Sequence, residues 1–491
     1  MRSNVMITLA LSAGIFLSTL SGCAKNPTDG ESVFIGLSSD ERELRLGRQH
    51  HPQFVKAFGG EFGSPELRKY INSIGQLLAQ TVERKRFKYT FTVLNSEIVN
   101  AFALPGGYIY ISRGLLALAS NEAELAGVLA HELGHINALH HSRRDGKGLL
   151  ANILMAGVGI ASGKNSTKWS PARDLTRYIT SGALSAYSRK HELEADRLAL
   201  RYMRRAGYEP KAMVGFLKKM RSWSRLQAKR LGKSPDEVDE FNYLATHPAP
   251  AERIRLASEI TSKYKVRNPI LGTKVYLQKI NGILFGSDPE QGLILGRVFA
   301  HPKLKFRFEV PQNFRMFNTP DNIFAIGPNG ATIRFDSARK PSDGPITYYL
   351  QEVWWRNTKL HNVERLNING LDAATGTIQI RGADLRAIAI RKNLQTIYRF
   401  VFKTKPEDTR RLARTLRRTT YSFRILTANA VFDLKPLRVK VVRTKQGDTV
   451  STFSRMMANG DKFSEERFKV LNGLYRNTAL TRGQWVKVIA N

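Results

Sequence analysis

The segment His131-Glu132-Leu133-Gly134-His135 has residue types and spacing that predict metal chemistry. In a helix, residues four apart lie on the same face, so His131 and His135 would reach one metal ion together. Glu132 would lie beside the pair, where its carboxylate can take a proton from a water molecule as a general base. The segment therefore predicts a catalytic metal site on a helix.

A third ligand must come from elsewhere, because a catalytic zinc takes three protein ligands and keeps one position open. One candidate is His141, six residues after His135. Position 138 between them is Ala and not Gly, so nothing there turns the chain readily and we expect the helix to continue. Six residues along a continuing helix, His141 would lie far round the cylinder from the metal.

The other candidates are Glu192 and Asp196, which lie four apart on a second predicted helix. Because they share a helix face, one could bind the metal while the other accepts the second N–H of a ligand histidine. Glu194 is expected to point elsewhere. Taken without the upstream histidines, the same segment would be interpreted as a solvated acidic face.

The elements that would position these residues are mainly helical in pattern between residues 39 and 261. Apolar residues recur at helical spacing before the metal motif, at Leu67, Ile71, Ile74, Leu77 and Leu78. Alternation predicts strands over residues 87–94 and 108–111. The apolar stretch 148–162 is too short to span a bilayer, so we expect a core or lid helix there.

Further segments occur in a recognisable order around these motifs: Asn-Ala-Phe-Ala-Leu-Pro-Gly-Gly-Tyr-Ile at 100–109, Glu-Ala-Glu-Leu-Ala-Gly at 122–127, and Glu192-x-x-x-Asp196. With H-E-L-G-H they resemble the BepA (YfgC)/HtpX-type gluzincin metallopeptidases over about residues 35–265. The resemblance implies a zincin-type fold and zinc endoprotease activity with one Zn²⁺ per chain. It implies His131, His135 and Glu192 as ligands, Glu132 as base and Asp196 as the outer partner of a ligand. The strand near Tyr108 would be the sheet edge that holds an extended substrate.

Thr246-His247-Pro248 also resembles a family segment. The resemblance implies that His247 approaches the zinc in a resting state or supports the transition state. A capping or core histidine is the alternative. The tetratricopeptide array of BepA-like proteins and the transmembrane helices of the HtpX type have no counterpart in this sequence pattern.

The N-terminal residues predict export and lipidation. An uncharged, mostly apolar run over residues 5–20 is followed by Leu20-Ser21-Gly22-Cys23, and Cys23 is the only cysteine in the sequence. The run is too short to span a bilayer comfortably and is typical of a signal peptide. Leu-Ser-Gly-Cys resembles a lipobox, in which Cys23 is acylated. Ala24 then suits the outer membrane, so we expect a tethered periplasmic protein, for which nucleic acid is not a partner.

Composition is that of a folded globular protein, with 42% hydrophobic and 24% charged residues, which excludes disorder, collagen and a polytopic membrane protein. The charge is uneven. Residues 201–491 hold 54 basic and 24 acidic residues and carry most of the net charge of +36. Such a positive field favours anionic partners.

The C-terminal half predicts two further units after a Gly-, Asp- and Pro-containing linker around residues 282–296. Residues 300–428 alternate like strands and end in a basic helix from Pro406, which predicts an α+β domain of unassigned role. Residues 435–491 resemble a small βααβ LysM-like module, which implies binding to the glycan of peptidoglycan. A basic appendage without glycan affinity is the alternative.

The predicted fold class is therefore α+β, with residues 1–23 as signal peptide and 24–285 as a mainly helical peptidase domain carrying a small edge-exposed sheet. The predicted function is a lipid-anchored zinc endopeptidase on the periplasmic side of the outer membrane. Its expected substrates are unfolded or misassembled envelope proteins. Alternatives are a chaperone or assembly factor, a peptidoglycan-binding scaffold that uses the same fold for binding, and a cell-wall amidase.

Overall fold

The computed structural model describes residues 23–25, 32–34, 40–85, 87–140, 187–230, 234, 247, 250–319, 322–339, 344–380, 382–458, 462–475 and 479–491. The predicted signal peptide before Cys23, the alternative ligand His141 and the predicted helix over 148–162 lie outside these residues. Near the N-terminus, the backbone of Cys23–Lys25 (β1) pairs antiparallel with Ser32–Phe34 (β2).

The described part of residues 40–280 is mainly helical, as predicted. The helices are α1 (Asp40–Ala57), α2 (Pro65–Ala79), α3 (Arg113–Leu118), α4 (Glu122–Asn137), α5 (Arg189–Arg205), α6 (Lys211–Arg230), α7 (Pro250–Ser262) and α8 (Thr273–Ile280). In α2 the predicted apolar face is buried at Leu67, Ile71, Ile74 and Leu78, whereas Leu77 is exposed. Ser64 caps this helix by accepting a hydrogen bond from the Leu67 amide.

A three-stranded sheet packs against these helices. It consists of β3 (Thr90–Leu94), β4 (Ala101–Leu104) and β5 (Tyr108–Ser112), in the order β3-β5-β4. β5 pairs parallel with β3 and antiparallel with β4. The prediction that the strand near Tyr108 is the edge is therefore wrong. Because the Gly106–Gly107 turn folds β4 back onto β5, β4 takes the edge position and β5 lies in the centre.

The middle unit contains two antiparallel sheets. A seven-stranded sheet has the order β12-β13-β14-β15-β11-β10-β9 and a four-stranded sheet the order β16-β8-β7-β6. The strands are β6 (Leu293–Leu295), β7 (Val298–His301), β8 (Phe306–Glu309), β9 (Arg315–Asn318), β10 (Ile323–Ile326), β11 (Thr332–Arg339), β12 (His361–Ile368), β13 (Leu371–Ile380), β14 (Ala383–Asn393), β15 (Thr396–Thr404) and β16 (Arg424–Ile425).

Aromatic side chains fill the core of this middle unit. Phe306, Phe335 and Phe400 are all buried in a cluster that also takes in Leu412 and Leu416 of α10 (Pro406–Ser422). The other face of the long sheet is covered by α9 (Ile346–Tyr348) and the π-helix Tyr349–Trp354. A 3₁₀ helix covers Pro328–Gly330, and α11 (Ala428–Phe432) follows β16.

The C-terminal module has the element order β17 (Arg438–Arg443), α12 (Val450–Met456), α13 (Ser464–Leu471) and β18 (Trp485–Ala490). β17 and β18 pair antiparallel, with Val439 opposite Ile489. This β-α-α-β order is the one expected for residues 435–491. The resemblance to LysM remains a prediction.

The C-terminal module shares its hydrophobic core with the helical N-terminal unit. One cluster of buried residues contains Leu129 and Met213 together with Phe468, Val486 and Ile489. Backbone hydrogen bonds also join the two units: the Gly282 amide donates to Val439 O at 2.7 Å and the Phe285 amide to Leu437 O at 2.8 Å. The first part of the predicted linker 282–296 is thus paired with the C-terminal module through backbone hydrogen bonds at β17.

Candidate metal centre

Helix α4 positions both histidines of the metal motif. It begins after Asn121, whose side chain accepts a hydrogen bond from the Glu124 amide at 2.8 Å. Its apolar side chains at Leu125, Leu129, Leu133 and Ile136 are buried in the main core. Packing of these side chains fixes the rotation of α4 about its axis. It therefore determines the direction in which His131 and His135 project.

Gly134 allows the second helix of the site to approach α4 closely. A Cβ atom at this position would lie only 3.0 Å from the carbonyl oxygen of Ala195 and 3.2 Å from its Cα atom. Helix α5 begins after Ser188, which caps it by accepting a hydrogen bond from the His191 amide. The close crossing at Ala195 brings Glu192 and Asp196, one turn apart on α5, to the two histidines.

The side chains of His131, His135 and Glu192 meet in one fully buried cluster. Nε2 of His131 lies 3.0 Å from Nε2 of His135. The Glu192 carboxylate lies 3.4 Å from His131 Nε2 through one oxygen and 3.3 Å from His135 Nε2 through the other. Two imidazole nitrogens and a carboxylate oxygen that converge in this way are a ligand set suited to a single metal ion.

His247 belongs to the same cluster. Its Nδ1 atom lies 3.2 Å from His131 Nε2 and 2.9 Å from Glu192 Oε1, and its Nε2 atom lies 3.2 Å from Glu132 Oε1. One ligand atom from each of His131, His135, Glu192 and His247 falls within 4.8 Å of the others. Burial lowers the pKa of His247, but the carboxylates of Glu192 and Glu132 outweigh burial and raise it to about 10.

Asp196 and Arg253 contact the side chains of the predicted ligands His131 and Glu192. Asp196 Oδ1 lies 2.9 Å from His131 Nδ1, which leaves the Nε2 atom of that ring facing the cluster. Arg253 donates to Asp196 through Nε at 2.7 Å and places Nη1 2.8 Å from Glu192 Oε2. Burial alone would raise the pKa of Glu192, but His247 and Arg253 hold it well below its usual range, so the carboxylate stays ionised.

On the other side of the site, His135 contacts residues that the sequence analysis did not select. Its Nδ1 atom lies 2.8 Å from Nδ1 of His140, and His140 Nε2 lies 3.2 Å from Glu194 Oε2. The Tyr187 ring stacks on the His135 ring with 3.8 Å between centroids. Glu194 therefore meets this side of the site through His140, and it is not in the group of side chains that could hold the metal.

His140 reaches this position because α4 ends at Asn137. Leu139 then adopts a left-handed backbone with φ of 60°, although it is neither Gly nor Asn. A bulky residue in that region costs about 1–2 kcal/mol, which the burial of Leu139 and the His140–His135 contact offset. The expectation that the helix continues from His135 to His141 is therefore wrong, because α4 ends at Asn137. Ala138 does not prevent the chain from turning there.

The donor set fits a zinc ion. Nitrogen and carboxylate oxygen atoms are zinc's usual ligands, and three of them leave a position open for substrate. Glu132 Oε2 is a buried oxygen for which the described residues provide no hydrogen-bond partner. A buried carboxylate oxygen without a partner indicates that a further polar group, such as a water molecule, belongs beside it.

The buried cluster on two crossing helices, with a glutamate next to the first histidine and an edge strand beside α4, defines a protein of the H-E-x-x-H metallopeptidase class. Residues 65–261 match Peptidase family M48. The matched segment contains His131, Glu132, His135, Glu192 and Asp196.

Several proteins with assigned names are similar to this chain. The Beta-barrel assembly-enhancing protease of Yersinia pestis is 30% identical over 298 residues, which are 58% of this chain and 58% of that protein. The protein of the same name from Escherichia coli (strain K12) is 27% identical over 267 residues, 52% of this chain and 51% of that protein. The Mitochondrial metalloendopeptidase OMA1 of Arabidopsis thaliana is 30% identical and covers 37% of this chain. The match thus spans little more than half the length of the two bacterial relatives and 33% of the Arabidopsis protein.

Among solved structures, the cyanobacterial PsbP of Synechocystis sp. PCC 6803 is similar over 28% of this chain and 98% of that one. The sequence identity is 13% and the TM-score 0.23, too low to establish a shared fold. None of the helices in the described ranges is long and apolar enough to cross a membrane.

Proposed function

We propose that this protein is a zinc-dependent endopeptidase. The observation that carries the proposal is the buried meeting of His131, His135 and Glu192, with Glu132 buried beside them and 3.2 Å from His247. When bound, Zn²⁺ supplies Lewis acidity that polarises a peptide carbonyl and lowers the pKa of a water molecule.

The protein's own residues would transfer the proton, orient the ligand histidine and keep the acidic side chains ionised. Glu132 takes the proton from the attacking water and passes it to the leaving amine as general base and acid. Asp196 holds the His131 ring in the tautomer whose Nε2 lone pair faces the metal position, and Arg253 keeps both acidic side chains ionised. His247 lies against Glu192 and Glu132 and would keep substrate away from the cluster in the resting enzyme.

The proposed substrates are unfolded or misassembled envelope proteins. The printed name of the bacterial relatives, Beta-barrel assembly-enhancing protease, supports this class of substrate. β4 pairs only with β5 among the described strands, and its four residues are buried, so a substrate segment would pair there only after this edge is uncovered. An extended segment without tertiary structure can add to β4 by main-chain hydrogen bonds, and a folded protein cannot.

We place the protein on the periplasmic side of the outer membrane, with an acyl anchor on Cys23. The proposal is supported by the apolar run before Leu-Ser-Gly-Cys in the sequence. Peptidoglycan is the proposed partner of the C-terminal module, whose β-α-α-β order supports it.

A glutamate replacement tests the peptidase assignment. Glu132→Gln keeps the shape of the side chain and removes its basicity, so zinc should stay bound while cleavage of casein or an unfolded porin falls by about 10²–10⁴-fold. Glu97→Gln, an exposed glutamate in the loop before β4, is the matched control and should cleave normally.

Cleavage at the normal rate by Glu132→Gln would contradict the proposal. A zinc-loaded wild-type protein that binds unfolded porin without cutting it would favour the chaperone alternative. Release of muropeptides from peptidoglycan without proteolysis would favour a cell-wall amidase.

A further inference from the structure

Three chain segments meet at one end of the middle unit, and we call them the basic tip: the turn Lys303–Lys305, the turn 392–395 and the strand β16, Arg424–Ile425. Lys392 Nζ donates to Leu304 O at 3.2 Å, which joins the first two segments. The Leu426 amide donates to Lys305 O at 2.8 Å, and Ile425 lies opposite Phe306 in the sheet, which joins the third.

The tip is held in a fixed shape by its own hydrogen bonds. The Leu304 amide donates to the His301 ring at 3.3 Å, and the Lys305 amide donates to His301 O at 2.8 Å. Burial lowers the pKa of His301 to about 4, so its ring is a neutral acceptor at neutral pH. In the second turn, the Gln395 amide donates to the Asn393 side chain at 3.0 Å. Both turns are therefore organised before any partner arrives.

Aliphatic side chains stand exposed at the tip. Leu394 is 66% exposed, Leu304 40% and Ile425 38%. Each belongs to a different segment, yet the contacts above bring the three segments together. Exposed aliphatic side chains on three adjoining segments give the tip an apolar surface that would favour contact with an apolar medium.

The same three segments also carry cationic side chains. Lys303 pairs with Glu290 at 2.9 Å, whereas Lys305 and Arg424 have no carboxylate within salt-bridge distance in the described part of the chain. Burial and the nearby Arg424 lower the pKa of Arg307, the residue opposite it in the sheet. The positive charge at the tip is therefore only partly neutralised by the protein itself.

Exposed aliphatic side chains on segments that also carry lysine and arginine match the interface of an anionic lipid bilayer. The side chains of Leu304, Leu394 and Ile425 would enter the acyl boundary, while the cations would contact phosphate groups at headgroup level. A soluble polyanion would satisfy the cations and leave the aliphatic side chains in water. A protein partner would need an acidic surface around an apolar one, and nothing in the structure requires that pattern.

The geometry points to the basic tip as a membrane-docking surface that inserts Leu304, Leu394 and Ile425 into a bilayer containing phosphate-bearing anionic lipid. Docking through the tip is separate from peptidase activity and from any acyl chain on Cys23. It would fix the middle unit against the lipid surface.

Vesicle flotation tests the proposal on the full chain with Cys23→Ser, so that no acyl chain contributes. The probes are vesicles of phosphatidylglycerol and phosphatidylcholine in equal parts, and vesicles of phosphatidylcholine alone. The protein should float with the first and stay behind with the second. Leu304→Ser/Leu394→Ser should reduce the partition coefficient on the anionic vesicles by about tenfold or more, since two aliphatic side chains no longer insert.

Matched variants separate insertion from charge. Leu271→Ser/Val275→Ser removes two equally exposed aliphatic side chains near and on α8, and it should bind vesicles like the parent. Lys305→Glu/Arg424→Glu should bind anionic vesicles more weakly and elute from a heparin column at lower salt than the parent. The double serine variant should keep its heparin elution position. Thermal unfolding checks that every variant is folded.

Two results would overturn the proposal. One is failure of the parent protein to float with anionic vesicles. The other is normal vesicle binding by Leu304→Ser/Leu394→Ser, which would mean that the tip recognises a soluble polyanion through charge alone.

Discussion

At the scale of single residues, the contacts of His247 indicate how access to the candidate metal centre could be controlled. It touches a ligand histidine, the ligand carboxylate and the predicted base at 3.2, 2.9 and 3.2 Å. A side chain in this position competes with substrate and water for the same space. It would therefore keep the peptidase in a resting state until substrate displaces it.

Replacement of His247 by Ala should raise the basal cleavage of unfolded substrates and leave the zinc content unchanged. The increase is expected to be several-fold, because a competent state populated at roughly one part in ten gains at most about tenfold when its competitor is removed. Initial rates on casein, together with metal analysis, measure both quantities. A fall of about 10²-fold would instead assign His247 to stabilisation of the oxyanion.

The sequence was sufficient to select His131, Glu132, His135 and the acidic pair on α5, because helical spacing determines which side chains share a face. His140 was not selected. Its contact with His135 depends on the end of α4 and on the left-handed backbone of Leu139, and no spacing rule predicts that conformation for a leucine.

At the scale of elements, the crossing of α4 and α5 determines the distance between the histidines and Glu192. Gly134 faces the backbone of Ala195, whereas Gly127 on the same helix faces the side chains of Met213 and Met203. The atoms near Gly134 are backbone atoms of α5, which carries Glu192, whereas those near Gly127 belong to side chains that do not carry a predicted ligand. The two glycines therefore have different roles in the same helix.

Gly134→Ala should weaken zinc binding by about tenfold or more, the effect expected when the support of a ligand is disturbed. The added Cβ would meet Ala195 O at 3.0 Å and displace α5, and with it Glu192. Gly215→Ala on α6, where a Cβ would meet nothing closer than Glu124 Oε1 at 3.9 Å, is the matched control and should bind zinc normally. Competition against a chromophoric chelator measures both affinities, and equal affinities in the two variants would contradict this role for the crossing.

Helices were easier to predict than the sheet. The apolar repeat of α2 indicated which face is buried, and Leu77 alone departs from it. For the strands, alternation locates each segment but carries no information about its neighbours. The edge position of β4 follows from the parallel pairing of β5 with β3, which joins residues distant in sequence.

At the scale of the whole molecule, the C-terminal module supports the start of the metal-binding helix. The buried Lys487 of β18 donates to the carbonyl oxygens of Ala117, Leu118 and Ala119 at 2.8, 2.9 and 2.5 Å. These carbonyls lie at the end of α3, directly before α4. The buried Lys219 of α6 donates to Glu124 of α4 close by.

Lys487→Met should lower the free energy of unfolding by about 1–3 kcal/mol, because it leaves buried carbonyls without a donor. Lys440→Met, an exposed lysine on the paired strand β17, should change it by about 0.5 kcal/mol or less. Urea unfolding measures both, and a single transition is expected because the core is shared. A separate early transition of the module that spares the zinc site would contradict this account.

The predicted division into three units rests on changes in residue pattern, and the structure has the mixed α+β class that they predict. Their association was not predictable. The shared core contains Leu129 together with Phe468 and Val486, which lie more than 300 residues further along the sequence. The sequence shows that such residues are apolar but does not show which other apolar residues they contact. The segment after Gly282 looked like a linker because its pairing with β17 uses backbone atoms.

The central claim is that His131, His135 and Glu192 hold one metal ion, and the zinc content of three purified proteins tests it most directly. The wild type should contain one zinc per chain, Glu192→Ala should contain little or none, and His141→Ala should match the wild type. Loss of zinc from His141→Ala with retention in Glu192→Ala would contradict the account, since the third ligand would then follow α4 in sequence.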